Sequence, residues 1–256
     1  MKKTMFAFCA VCCSLWLDAA ENPVYALHPD DITFHASFNA GDCNADMASG
    51  KAKPRRITGQ ATFANGVFGG KSLLTGKVLY DGVKNIDMSS PGTLIMWIAP
   101  VDWPAVKPVD GKEPGFMAFM AYAPEYGFYV SKISGQPWKH GHFNAYVQYP
   151  KNHDHVNCMI LHEAITEKWK NGEWRMLAAT WNNGTVTFSV NGKKSSAAPL
   201  KKLITTPTSW FMLGDMDPTG KYKLCTDELV ILKKALNDAE IRKLYEESLK
   251  AVQEMK

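Results

Sequence analysis

Five of the seven histidines, His140, His142, His153, His155 and His162, fall between Lys139 and Ala164, with Cys158 among them. Imidazole and carboxylate are the groups that hold zinc and copper, and His153 and His155 flank Asp154. That spacing makes His153 and His155 candidate transition-metal ligands. The competing reading is a set of polar side chains on a sheet and its adjoining loop. His140 and His142 are also two apart, so on a strand they would share a face. Aromatic residues crowd the same central region, namely Trp103, Tyr126, Tyr129, Trp138 and Tyr146. With His140 and His142 they form a third candidate, a surface on which sugar rings stack through their apolar C–H faces. Core packing is the alternative for each of these aromatics, and exposure decides between the two.

The elements that must position these groups are short strands. Ile32–Phe38 alternates with period two, and Gly59–Phe63 and Ser72–Tyr80 follow. Thr93–Ile98 ends at Pro100. Phe116–Tyr122 pairs with Gly127–Ile133 around Ala123–Pro124–Glu125. His142–Tyr149 pairs with Val156–Ala164 around the histidine-bearing loop. Trp174–Trp181 and Thr185–Val190 flank Asn182–Asn183–Gly184, a strong hairpin signal. Ser209–Leu213 and Leu224–Leu232 complete the series. So many strands with frequent turns predict an all-β chain, a two-sheet antiparallel β-sandwich or jelly roll. One helix is expected at the C-terminus, with Asn237 as N-cap and Glu240 three residues on. Ile241, Leu244, Tyr245, Ser248 and Leu249 mark its apolar face.

The start of the chain reads as a secretory leader. Lys2 and Lys3 precede the apolar run Thr4–Leu17, and Ala19 and Ala20 follow. Residues 1–20 are therefore expected to be a signal peptide and residues 21–256 one domain. No later stretch is long and apolar enough to span a bilayer. Cys43, Cys158 and Cys225 remain after the leader, an odd number, which permits one disulfide or none. A formal net charge of +4 is too mild to imply nucleic acid or an anionic membrane as partner.

Several stretches together resemble the laminin-G-like branch of the concanavalin A-like lectin/glucanase superfamily. They are Phe34–Gly50 with Val67–Leu73, then Gly92–Trp97 (GTLIMW), Trp174–Thr180 (WRMLAAT), Val190–Gly192 and Phe211–Asp215. The most specific is the closing element Asp227–Tyr245 (DELVILKKALNDAEIRKLY). The resemblance implies two sheets packed face to face, one of them concave, and binding of carbohydrate or protein ligands outside the cytoplasm, often with calcium. It also implies that the opening loop and the closing strand lie near each other. Asp42, Asp46 and Asp227 thereby become candidate calcium ligands, oxygen donors of the kind that ion takes. Trp97, Trp174, Trp181 and Phe188 match or neighbour core positions of the family.

Glycan hydrolases of the superfamily set several carboxylates on one strand, and a retaining mechanism needs two about 5–5.5 Å apart. No strand here supplies them. The reading is therefore an exported, non-catalytic binding module, secreted or periplasmic in a bacterium. Its ligand is a glycan or other cell-surface ligand, met at the concave face and edge loops. A glycan-cleaving enzyme on the same fold and a structural envelope protein are the alternatives.

Overall fold

The computed structural model describes residues 21–102, 116–135, 138–149, 156–162, 169–194, 197–214 and 223–255. After a short helical turn, α1 (Val24–Leu27), the chain forms one curled antiparallel sheet, and a helix, α2 (Asp238–Glu254), closes it.

One half of the sheet contains β1 (Ile32–Ala36), β2 (Met47–Ala48), β5 (Gly92–Val101), β10 (Arg175–Asn182), β11 (Thr185–Val190), β12 (Lys193–Lys194), β13 (Ala198–Pro199) and β15 (Lys223–Leu232). The other half runs in the order β3 (Arg56–Asn65), β4 (Lys71–Asp81), β14 (Trp210–Leu213), β6 (Phe116–Ala123), β7 (Tyr126–Gly135), β8 (Trp138–Gln148) and β9 (Val156–His162). Between β4 and β15 the register is a single pair, Leu73 with Thr226. The expected two sheets are thus the two halves of one continuous sheet, folded over at that narrow seam.

Their facing sides form the main core. Leu94, Met96, Ile98, Leu177, Ala179, Phe188, Leu229 and Ile231 come from one half, and Val78, Tyr80, Phe211, Phe119, Phe128, Val130, Phe143 and Val147 from the other. The first half is buried on its second side as well. Ile95, Trp97, Met176, Ala178, Val230 and Leu232 meet Ile241 and Leu244 of α2, and Val24 of α1, in a second core. This explains why β5, β10 and β15 read as nearly continuous apolar runs rather than alternating ones.

The end of the chain matches its sequence pattern. Asn237 accepts hydrogen bonds from the backbone N–H of Ala239 and Glu240, and the Glu240 carboxylate accepts one from the Asn237 N–H, a complete capping box. The Asn183–Gly184 hairpin has both residues in the left-handed region, φ 44° and 78°, as its tight turn requires. Trp97, Trp181 and Phe188 are buried and Trp174 packs at the edge of the second core. β1 stops short of the expected Phe38, which has φ 61° and turns the chain into the following loop. Among the described residues no helix is long and apolar enough to cross a membrane.

Candidate functional site

The half-sheet β3–β4–β14–β6–β7–β8–β9 has its second side uncovered by α2, and strand alternation decides what appears there. On β14, Phe211 and Leu213 enter the core, so Trp210 and Met212 face the other way, half-buried. On β6 the same side carries Met120 and Tyr122. On β7, Phe128 and Val130 are core residues, so Tyr129 points out, and Tyr146 is its direct partner on β8.

These rings form one run across four strands. Trp210 stacks on Tyr122 with centroids 5.0 Å apart and planes 20° from parallel. Tyr129 stacks on Tyr146 at 4.5 Å and 13°. The two pairs are linked at Gly127, the cross-strand partner of Tyr122. A Cβ on Gly127 would collide with the Tyr129 ring and hydroxyl. The missing side chain therefore lets Tyr129 lean toward Tyr122. Burial raises the Tyr129 phenol pKa, with Tyr122 adding to the shift. Burial, helped by Tyr129, pushes Tyr146 up to about 12. Both hydroxyls thus stay protonated, able to donate and accept hydrogen bonds, well beyond neutral pH.

Beside Trp210, on the side away from Tyr122, lies a depression of about 400 Å³ lined by Arg55, Arg56, Leu79, Trp210 and Met212. Leu79 is the register partner of both Met212 and Arg56, which fixes all three on one row. Lys51 pairs with Asp81 at 3.3 Å at the neighbouring row, where Asp81 is the partner of Trp210. A larger depression of about 560 Å³ lies over the other half, among Thr180, Thr185, Thr187, Lys194 and the start of α2. It has no aromatic lining.

The expected site residues separate. Tyr129 and Tyr146 come together on the open face. Tyr126 does not join them: it is 1% exposed and its hydroxyl is 2.5 Å from that of Thr208. It shares strand parity with Phe128, which turns it into the core. Trp138, His140 and His142 lie on β8, but their side chains lie outside the described residues, as do Trp103, His153 and His155.

The proposed calcium carboxylates are engaged locally. Asp42 is exposed and accepts from the backbone N–H and side-chain amide of Asn44 within its own turn. Asp46 accepts from the Ser37 N–H at 2.7 Å. Asp227 is buried and accepts from the N–H groups of Val67 and Glu228. Burial, reinforced by Glu228, holds its pKa well above the usual carboxylate range. Among the described residues no cluster of three or more His, Cys, Asp or Glu groups is arranged to hold an ion. Cys43 and Cys225 are free and buried and do not pair with each other.

A buried polar network not anticipated from sequence joins the N-terminal segment to the closing strand. Glu228 sits at a bulge of β15 with φ 49°. Its carboxylate accepts from Asn22 Nδ2 at 2.6 Å and lies 2.7 Å from His35 Nε2, while Tyr25 bonds the other ring nitrogen of His35. Arg55, Arg56, Trp210 and Tyr122 were likewise missed. Their signals are the Lys51–Arg56 stretch (KAKPRR) and the alternation in Trp210–Leu213 (WFML).

The sequence from residue 75 to 242 matches the family model Laminin_G_3, of the concanavalin A-like lectin/glucanases superfamily. The chain belongs to that family. No curated protein sequence matches it. Among solved structures it is similar to the binding domain of botulinum neurotoxin DC in complex with SialylT, with TM-score 0.66 and 16% identity, over 86% of this chain and 52% of that one. It thus spans about half the length of that structure. It is also similar to domain 4 of AbnA, a GH43 extracellular arabinanase from Geobacillus stearothermophilus, in complex with arabinotriose. There the TM-score is 0.60 and the identity 19%, over 84% of this chain and 98% of that one.

Proposed function

We propose that the chain is an exported, non-catalytic binding module that takes a glycan, free or on a cell surface, on the open face of the β3–β9 half-sheet. The observation that carries this is the continuous aromatic run Trp210–Tyr122–Tyr129–Tyr146, left half-exposed on a rigid sheet. Rings of this size normally complete a core. Here the core is complete without them, and the apolar, hydroxyl-bearing surface they leave suits the C–H faces and hydroxyls of sugars. Two structural neighbours, a binding domain in complex with SialylT and an arabinanase domain in complex with arabinotriose, support the same reading.

The test is a glycan array probed with residues 21–256, with and without a calcium chelator. Binding is expected to a saccharide family, and Tyr146→Ala should weaken it on the order of tenfold. Gly127→Ala, whose added methyl displaces the Tyr129 ring without truncating any aromatic side chain, should weaken it similarly. Loss of binding in chelator would add a metal to the site. A protein that binds no glycan in either condition is not a lectin, and the structural-envelope alternative then replaces this proposal.

A further inference from the structure

Recognition of an acidic sugar is what the surroundings of Trp210 add. One face of the indole is covered by Tyr122. Half-buried Trp210 also lines the depression with Leu79 and Met212, where Arg55 and Arg56 stand exposed, and its register partner Asp81 is paired with Lys51 in the neighbouring row. Among the described residues neither guanidinium makes an ion pair with a carboxylate. Arg55 is held by its backbone, whose N–H bonds the Leu79 carbonyl at 2.7 Å. Arg56 is held by register opposite Leu79. Lys51 and Lys53 precede them, so four of the six residues from 51 to 56 are basic. By contrast the Tyr129–Tyr146 end of the run has no described cation beside its rings.

A half-buried indole, two apolar walls and two exposed guanidinium groups that pair with no described carboxylate make a specific request of a ligand. It should present an apolar face about one ring wide and an anion at its rim. Guanidinium binds carboxylate and sulfate through paired, charge-assisted hydrogen bonds. Single-stranded nucleic acid, which also combines aromatic and basic contacts, is served by separate rings on which successive bases stack. Here the rings are stacked on one another in pairs, and of these four Trp210 is the one that lines the depression beside the arginines.

Building on the glycan reading above, we propose that this depression is a subsite for an acidic sugar residue, one bearing a carboxylate or a sulfate. The sugar ring lies on Trp210, and Arg55 and Arg56 hold the anionic group. The Tyr129–Tyr146 pair then serves neighbouring, uncharged residues of the same chain. The face divides into a charged end and a neutral end.

Calorimetry on residues 21–256 with three probes of equal length tests this: trigalacturonate, a sulfated galactotriose and neutral galactotriose. At least one acidic probe is expected to bind on the order of tenfold or more tightly than the neutral one, with an advantage that shrinks as salt is raised. Which of the two does so identifies the anion. Arg55→Gln with Arg56→Gln should remove that advantage and leave neutral binding unchanged. Both side chains are exposed, so the fold is expected to tolerate the pair. Equal affinity for acidic and neutral probes, or an acidic preference that survives the double variant, overturns the subsite while leaving the glycan reading intact. An octathymidylate that binds through the two arginines more tightly than any saccharide also overturns it. A protein that binds none of the three sugars and is silent on the array fails at the earlier step instead.

Discussion

Glu228 carries a cost in its backbone that its side chain offsets. A non-glycine residue at φ 49° is held against a steric preference of roughly 1–2 kcal/mol. Its carboxylate is the common partner of Asn22 and His35, both buried. Glu228→Ala is therefore expected to leave two buried polar groups unsatisfied and to destabilise the fold by about 3 kcal/mol. Urea denaturation of the variant against the parent measures this, and a loss below about 1 kcal/mol would mean that water replaces the carboxylate. Asp227 next door adds a dependence on pH. Its raised pKa means the folded chain holds that proton more tightly than the unfolded one. This contribution favours folding at low pH and is lost as pH rises above the ordinary carboxylate value of about 3.9. At this scale the sequence was only partly readable. Residue type alone places Tyr126 and Tyr129 in one ligand set, whereas odd and even positions of β7 go to opposite sides. Strand parity with Phe128 assigns Tyr126 to the core and Tyr129 to the open face.

Elements whose positions depend on neighbours in sequence were the most legible. The closing strand carries Leu229 and Ile231 to the main core and Val230 and Leu232 to the second, as its unbroken apolar run requires. The helix begins where the Asn237–Glu240 pair says it should. Removing that cap with Asn237→Ala should cost about 1 kcal/mol, seen as a lowered midpoint of thermal or chemical unfolding. Because α2 covers Trp97, whose ring lies 6.1 Å from Tyr245, the same variant should raise the accessibility of tryptophan to a fluorescence quencher. What could not be read is adjacency between distant strands. Arg56 meets Leu79, Leu79 meets Met212, and Trp210 lies one row away. These residues come from separated parts of the chain and become a site only through the order β3–β4–β14. A pair of arginines and a lone tryptophan have no local pattern that announces this.

Across the whole molecule the two halves of the sheet are covered unequally. β5, β10 and β15 are buried on both sides, while the β3–β9 half presents one side to the surroundings. Native-state hydrogen exchange should report this as a gradient. Amides of β5, β10 and β15 are expected to exchange last, near the rate of global unfolding, and those of β3 among the first. Uniform protection across both halves would contradict the asymmetry. The stable half acts as the scaffold, and the open half leaves its second side to the surroundings.

β3 is the outer margin of that open half, and among the described residues it pairs only with β4. A sheet margin with unpaired N–H and C=O groups invites another chain to add a strand. This one is irregular, with register shifts around Thr62 and Gly59 at φ 78°, and Lys51, Lys53, Arg55 and Arg56 lead into it. Like charges and a broken register discourage two copies from zipping together there. The arginines of the proposed acidic-sugar subsite would thus double as guards against self-association. An acidic ligand that neutralised them, as the proposed subsite requires, would remove that guard, and saturating acidic glycan is then the condition in which light scattering is expected to show self-association rise.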